Sequence, residues 1–242
     1  MELIIEDRGA IRILTLNRPD KHNALNTSLT RSLREALLAA DADAGVHVVV
    51  LTGAGKSFCA GADTSEFATL TPENPEQVLA RADLTVNLHR VFTKIAKPVI
   101  GAVRGNALGG GAGLALACDL VVIATNARFG YPELKHGIVA AVVLANLVRQ
   151  LGRKHAFELV SMAEPISGER AFALGLANRV VADEAVMSSA LELAGTLAAW
   201  NPLAMSTTKR VFHRAADLAL DPALDIGRDA NVIMRGFRKP KP

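Results

Sequence analysis

The period of the apolar positions changes several times along the chain, and each change marks an element. Leu3-Ile4-Ile5 and the alternating run Ile11-Arg12-Ile13-Leu14-Thr15-Leu16 bracket Asp7-Arg8-Gly9, which predicts a β-hairpin. After a turn-rich loop from Asn17 to Asn23, Leu25, Leu29, Leu33 and Leu37 recur at helical spacing. They predict a helix as far as Ala40, with Asn26 or Thr27 as its cap. Val46 to Thr52 is almost continuously apolar and β-branched, as expected of a strand buried on both faces, and Gly53-Ala54-Gly55-Lys56 turns the chain. The unit then recurs as a helix near residues 76–95, a strand over 98–104, a glycine turn, a helix over 107–117 and a strand over 119–124. A third, shorter version runs from Phe129 to Gly152 and ends at Val180-Val181. Strands alternating with helices at this rhythm predict an α/β fold with largely parallel strands. Thr71-Pro72-Glu73-Asn74-Pro75 is the most loop-like segment, where a flap or an interaction loop belongs. From about Glu184 the pattern is helical only, with a break at Asn201-Pro202 and a further helix over Leu203 to Ala216. A core over 1–184 is thereby set apart from a helical region over 185–242, which is too thin to form its own core and is expected to pack on the body or on another subunit.

One segment stands out chemically. Five glycines fall within the nine residues from Gly105 to Gly113, between a buried strand and the helix formers Leu114 to Cys118. A helix that opens in glycines aims free N–H groups and the positive end of its dipole at whatever lies above, which suits a phosphate, a carboxylate or an oxyanion. Glycine spacing does not separate the three, and a glycine-lined contact between strand and helix accounts for the segment as well. Neither GxGxxG with a downstream acid nor GxxxxGK[ST] is present, which discourages a nucleotide-binding module.

Composition narrows the class. A chain of 242 residues can bury a substantial core, and with half its residues apolar but only 4% aromatic the core must be built from Ala, Leu and Val. A net charge of +3 and a pI near 9.0 are too mild and too evenly spread to argue for nucleic acid. Arg235, Arg238, Lys239 and Lys241 gather at the C-terminus as in a solvated tail. Cys59 and Cys118 sit in apolar surroundings without CxxC or Cys/His spacing, which marks small buried hydrophobes of a reducing compartment rather than a metal site. No signal-peptide pattern opens the chain, and its longest uncharged run, Gly105 to Cys118, is too short and glycine-rich to span a bilayer. A soluble, cytoplasmic protein without membrane association is expected.

Several segments together resemble the enoyl-CoA hydratase/isomerase, or crotonase, superfamily. They are Asn17-Arg18-Pro19 with Asn23-Ala24-Leu25, Gly53 to Asp63, Lys97 to Gly105 with the glycine run, Cys118-Asp119, Phe129-Gly130-Tyr131-Pro132-Glu133, and Gly168 to Val181. Their order matches the family, and nearly the full chain is covered. The resemblance implies a crotonase-type spiral of strand-strand-helix repeats followed by C-terminal helices at the interfaces of a homotrimer or homohexamer. It implies fatty-acid-type acyl-CoA chemistry in which two backbone amides, those of Ala62 and Gly110, stabilise a thioester enolate. No cofactor is implied, since coenzyme A is part of the substrate. Arg18, Lys21, Ala60 and Asp63, with Gly109, Gly113 and Lys209, are the positions implied for substrate and CoA binding; Lys and Arg suit the nucleotide phosphates. Asp63 could equally cap the helix that follows, with Glu66 completing a capping box.

Proton transfer departs from the family's fullest pattern. Hydratases of the family carry one glutamate three residues after the oxyanion glycine and another after a Phe-Gly-x-Pro-like turn. Here the second is Glu133, but the first position is Gly113. Glu133 alone could hydrate a 2-enoyl-CoA, which is the reading adopted, or move a proton between C2 and C4 as an isomerase; a non-catalytic acyl-CoA binder is the third reading. A glutamate at position 133 is also what a helix N-terminus or Lys135 would hold for structural reasons. Tyr131 could donate a hydrogen bond or pack, His136 could line the pocket, and Asp119 is expected to satisfy buried backbone donors. Gly137 to Leu144 is bulky and apolar where relatives are glycine-rich, and Gly113 is expected to vacate volume for a branched acyl group.

Overall fold

The computed structural model describes residues 1–237, so Arg238, Lys239 and Lys241 of the expected basic tail lie outside it. In chain order the first elements are β1 (Leu3–Arg8), β2 (Ile11–Leu16), α1 (Thr27–Ala42), β3 (Val48–Gly53), α2 (Pro75–Lys94), β4 (Val99–Val103), β5 (Asn106–Leu108) and α3 (Gly110–Ala117). Then come β6 (Leu120–Ala124), β7 (Arg128–Gly130), α4 (Leu144–Leu151), α5 (Arg153–Met162), β8 (Ile166–Ser167) and α6 (Gly168–Ala173). The chain continues through β9 (Arg179–Val181), α7 (Val186–Ala198), α8 (Pro202–Ala215) and α9 (Leu220–Ile233).

The large sheet has the order β1-β2-β3-β4-β6-β9; β1 and β2 pair antiparallel as a hairpin, and the other neighbours pair in parallel. Val48 to Leu51 of β3 and every residue of β4 are buried, as a β-branched run between covered faces requires. Helix α1 starts where Asn26 Oδ1 accepts from Leu29 N at 2.8 Å, and it buries the stripe Leu29, Leu33, Ala36, Leu37 and Ala40.

A smaller sheet, β5-β7-β8, forms a second layer. Strand β4 leads into β5, and β6 into β7, so these two turns of the spiral each add one strand to each layer before a helix returns the chain. This corrects the expected helix over 107–117. Residues 106–108 are extended because they pair in parallel with β7, and α3 begins only at Gly110. The third repeat is also split, with α4 and α5 separated at Gly152, whose φ of 78° glycine adopts without strain.

The helical region over 185–242 begins against the body, where helix α7 packs on β3, β4 and β6 through Val186, Ala190 and Ala194. Helix α8 is tied to the body by Lys209, whose buried Nζ donates to the Lys97 carbonyl at 2.9 Å and to Asp119 Oδ2 at 2.7 Å. Asp119 also accepts from Val99 N and contacts His213 Nε2, so it serves the buried backbone donor expected of it and two side chains besides.

Helix α3 lies tightly against the segment after β3 at Gly111, where an added Cβ would stand 2.0 Å from the Cys59 carbonyl oxygen. Gly111→Ala is therefore expected to lower stability by about 2 kcal/mol or more through overpacking of backbone against backbone. Urea denaturation should show a lower midpoint with an unchanged slope, and an unaltered midpoint would contradict this packing.

Candidate active site

Three chain segments converge at the start of α3. The first two, the loop after β2 and the loop after β3, are tied together by Asn23. This residue is fully buried, donates through Nδ2 to the carbonyls of Ala54 at 2.9 Å and Ser57 at 2.7 Å, and accepts from Arg18 N at 2.9 Å. The second segment then pairs with β5: Cys59 N donates to Asn106 O at 2.9 Å and Leu108 N to Cys59 O at 3.0 Å. The third segment is β7 with the turn beyond it, joined to α3 by Gly109 N donating to Gly130 O at 2.8 Å.

This pairing leaves two neighbouring amides outside it. Leu25 N donates to the Gly61 carbonyl at 2.7 Å, and Asp63 N donates to the Leu25 carbonyl at 3.1 Å. That parallel bridge engages the groups on either side of Ala62 and turns the Ala62 N–H away from Leu25. Gly110 is the first residue of α3, so its N–H has no acceptor within the helix. The two amides are neighbours, since a Cβ on Gly61 would lie 3.2 Å from Gly110 N and one on Gly110 would lie 3.7 Å from Ala62 N. Gly61 can be only glycine here: its φ is +97°, and an added Cβ would stand 2.8 Å from the Leu108 carbonyl oxygen. Ala62 is exposed and Gly110 half-buried, so a ligand can reach both.

Glu133 opens a short 3-10 turn, Glu133–His136, directly after β7. Its carboxylate rests against Gly109, where a Cβ would lie 2.9 Å from Oε1. Oε2 is buried without a hydrogen-bond partner. Lys135, which could have neutralised it, pairs instead with Glu164. Burial raises the Glu133 pKa above the ordinary carboxylate range, opposed by its own backbone N–H and by His136. Tyr131 is fully buried edge-on to Phe129, and its hydroxyl, also without a partner, is held protonated by burial and by the nearby Glu133 charge.

The space beside Gly113 is not vacant, contrary to expectation. A Cβ there would meet Val143 Cγ1 at 2.3 Å and His89 Cε1 at 3.0 Å. Val143, from the apolar run before α4, fills the volume that the expected branched acyl group would have used. His89, in α2, went unrecognised in the sequence because it sits in an ordinary amphipathic stretch with no motif around it.

The remaining positions divide. Lys21 is exposed beside this loop region, and the Ala60 N–H is already engaged by the His22 carbonyl at 2.9 Å. Arg18 faces inward, pairing with Asp63 at 2.7 Å and Glu2 at 3.0 Å, and thus braces the loops instead of presenting a free cation. Asp63 does cap the following 3-10 turn, accepting from Ser65 N and Oγ, and the Ser65 hydroxyl together with Arg18 lowers its pKa to about 2. Glu66 does not complete a capping box, since Asp63 N is taken by Leu25; its Oε1 instead accepts from Thr27 N at 2.7 Å, at the start of α1. Lys209 is not brought to the site, because Asp119 and the Lys97 carbonyl hold its buried Nζ.

Known proteins resemble this chain over most of its length. Residues 6–233 match the enoyl-CoA hydratase/isomerase family. The chain is 38% identical over 226 residues to the 2,3-dehydroadipyl-CoA hydratase of Escherichia coli, covering 92% of this chain and 86% of that one. It is 35% identical over 230 residues to the short-chain-enoyl-CoA hydratase of Clostridium acetobutylicum, covering 94% and 87% respectively. Its fold superposes on the crystal structure of the enoyl-CoA hydratase of Mycobacterium smegmatis with a TM-score of 0.91 at 31% identity, covering 96% of this chain and 90% of that one.

Two substitutions test these placements. Gly113→Ala should cost about 1–3 kcal/mol by overpacking, and adding Val143→Ala should recover part of that loss in thermal denaturation. Lys209→Met should lower stability by about 3 kcal/mol by leaving Asp119 without its ammonium partner, while the KM for an acyl-CoA stays unchanged; a raised KM at unchanged stability would reverse the assignment.

Proposed function

The chain belongs to the enoyl-CoA hydratase/isomerase family, and we propose from that premise that it adds water across the double bond of a 2-enoyl-CoA, with Ala62 and Gly110 as the oxyanion donors and Glu133 as the group that moves the proton. The observation that carries the reading is the meeting of three features at Gly109 and Gly110. Two amides lie side by side there, and an ionisable carboxylate with a buried, unpartnered oxygen lies beside Gly109.

The chemistry follows from that arrangement. A thioester oxygen seated between the two N–H groups gains charge as the double bond is attacked, and donors fixed in advance stabilise the enolate more than the ground state. Glu133 takes a proton from water as the water oxygen bonds to C3, and then delivers that proton to C2. The raised pKa suits the task, since a carboxyl that takes and returns a proton in one turnover works best closer to neutrality. Lys21 is the cation best placed for the CoA phosphates, being exposed beside the loop that carries Ala62.

The same reading extends to assembly and setting. Exposed Leu203, Phe212, Leu220, Leu224 and Ile233 on α8 and α9 support a homotrimer or homohexamer. Two buried, unpaired thiols, Cys59 and Cys118, support a reducing, cytoplasmic environment.

Glu133→Gln should reduce the hydration kcat by about 10²–10⁴-fold and leave acyl-CoA affinity within a few fold. It should also stabilise the fold near neutrality. The raised pKa means that the folded chain holds this proton more tightly than the unfolded chain, so wild-type stability falls as pH rises between the two values. Glutamine removes that loss; its gain in Tm at pH 7 should vanish below about pH 4, where both states of the wild type are protonated. A variant of unchanged activity would sink the proposed role of Glu133.

A further inference from the structure

With Gly113 in place of a second acid, the attacking water has one carboxylate, Glu133, to hold it. His89 reaches α3 at this position. A Cβ on Gly113 would lie 3.0 Å from His89 Cε1, the carbon between the two ring nitrogens, so the nitrogen-bearing edge of the ring borders the first turn of α3. Nδ1 is sealed from solvent and has no hydrogen-bond partner. A buried imidazole nitrogen left in that state costs free energy that a polar visitor would recover. Glu133 rests against Gly109, and His89 against Gly113, residues joined by the Gly113 N to Gly109 O bond of 2.9 Å. One helical turn separates the two contacts, a rise of about 6 Å along α3. Val143, the other neighbour of Gly113, offers nothing polar.

We propose that His89 is the second water-holding group of this site: its imidazole accepts one hydrogen of the water whose other proton passes to Glu133. The inference rests on the hydratase reading of Glu133 and the two amides. Burial lowers the His89 pKa to about 4, so the ring is neutral at working pH, with one nitrogen free to accept and the other to donate. In the step itself the water O–H bond that points at Glu133 breaks, its proton passing to the carboxylate, and the water oxygen bonds to C3. The C2=C3 electron pair moves toward the thioester to form the enolate, and Glu133 then protonates C2. His89 ends the cycle unchanged, having oriented the nucleophile without transferring a proton.

Hydration and C2 proton exchange separate His89 from Glu133. Exchange of a C2 hydrogen of a saturated acyl-CoA in deuterium oxide needs the carboxylate and the amides but no attacking water. His89→Leu should lower the hydration kcat by about 10²-fold, keep KM within about threefold and leave exchange within about threefold. His89→Gln, whose amide oxygen can accept from the same water, should recover roughly tenfold of the loss. Wild-type hydration in both variants would overturn the role of His89 while leaving Glu133 in place. An equal fall of hydration and exchange in both would make His89 a packing residue and overturn it as well. A wild-type protein that neither hydrates nor exchanges would overturn the function proposed for the whole site, and His89 with it.

Discussion

The proposed site depends on one constraint: two backbone N–H groups from segments far apart in sequence must face a single oxygen atom. Side chains contribute little to that, so the backbone itself has to be positioned, and the three short strands of the second layer do this. Pairing of Cys59 with Ala107 sets the height of the Ala62 loop against the start of α3. Pairing of β5 with β7 then brings Glu133 to the same point. Close approach is possible because glycines stand at the crossings: Gly61, Gly109 and Gly111 each occupy a place where a Cβ would meet another atom at 2.9 Å or less.

Arrangements of this kind are held at a cost in stability. Among the described residues, four side-chain polar atoms are buried without a partner, and three of them belong to His89, Tyr131 and Glu133. The fourth is Glu2 Oε2, whereas Asn23 makes three hydrogen bonds and Asp119 serves a backbone amide, Lys209 and His213. Concentration of unmet hydrogen-bonding capacity beside the two free amides is what a site awaiting a polar reactant should look like, whereas a purely structural pocket would have been satisfied from within.

Much of the frame was legible in the sequence because it repeats a simple period. The hairpin, α1 with its Asn26 cap, β3 and β4 follow directly from alternation, helical spacing and β-branched runs. The glycine run marked the place of α3, and the ordered motifs pointed to Ala62, Gly110 and Glu133. Strands of two or three residues, such as β5, β7 and β8, carry no period of their own and exist only through their partners, so the helix expected over 107–117 begins three residues later, at Gly110. Tertiary packing also hid three side chains. Lys209 reads as an ordinary helix cation, but its buried ammonium finds Asp119; Val143 occupies the space that Gly113 lacks the side chain to fill; and His89 gains its place only when α2 lies against α3.

A crystal structure of the protein with a bound acyl-CoA thioester tests the central claim most directly. The thioester oxygen should lie about 3 Å from both the Ala62 and Gly110 nitrogens, with C2 within reach of the Glu133 carboxylate. An acyl-CoA whose carbonyl lies away from these amides would contradict the account, whatever activity the protein shows.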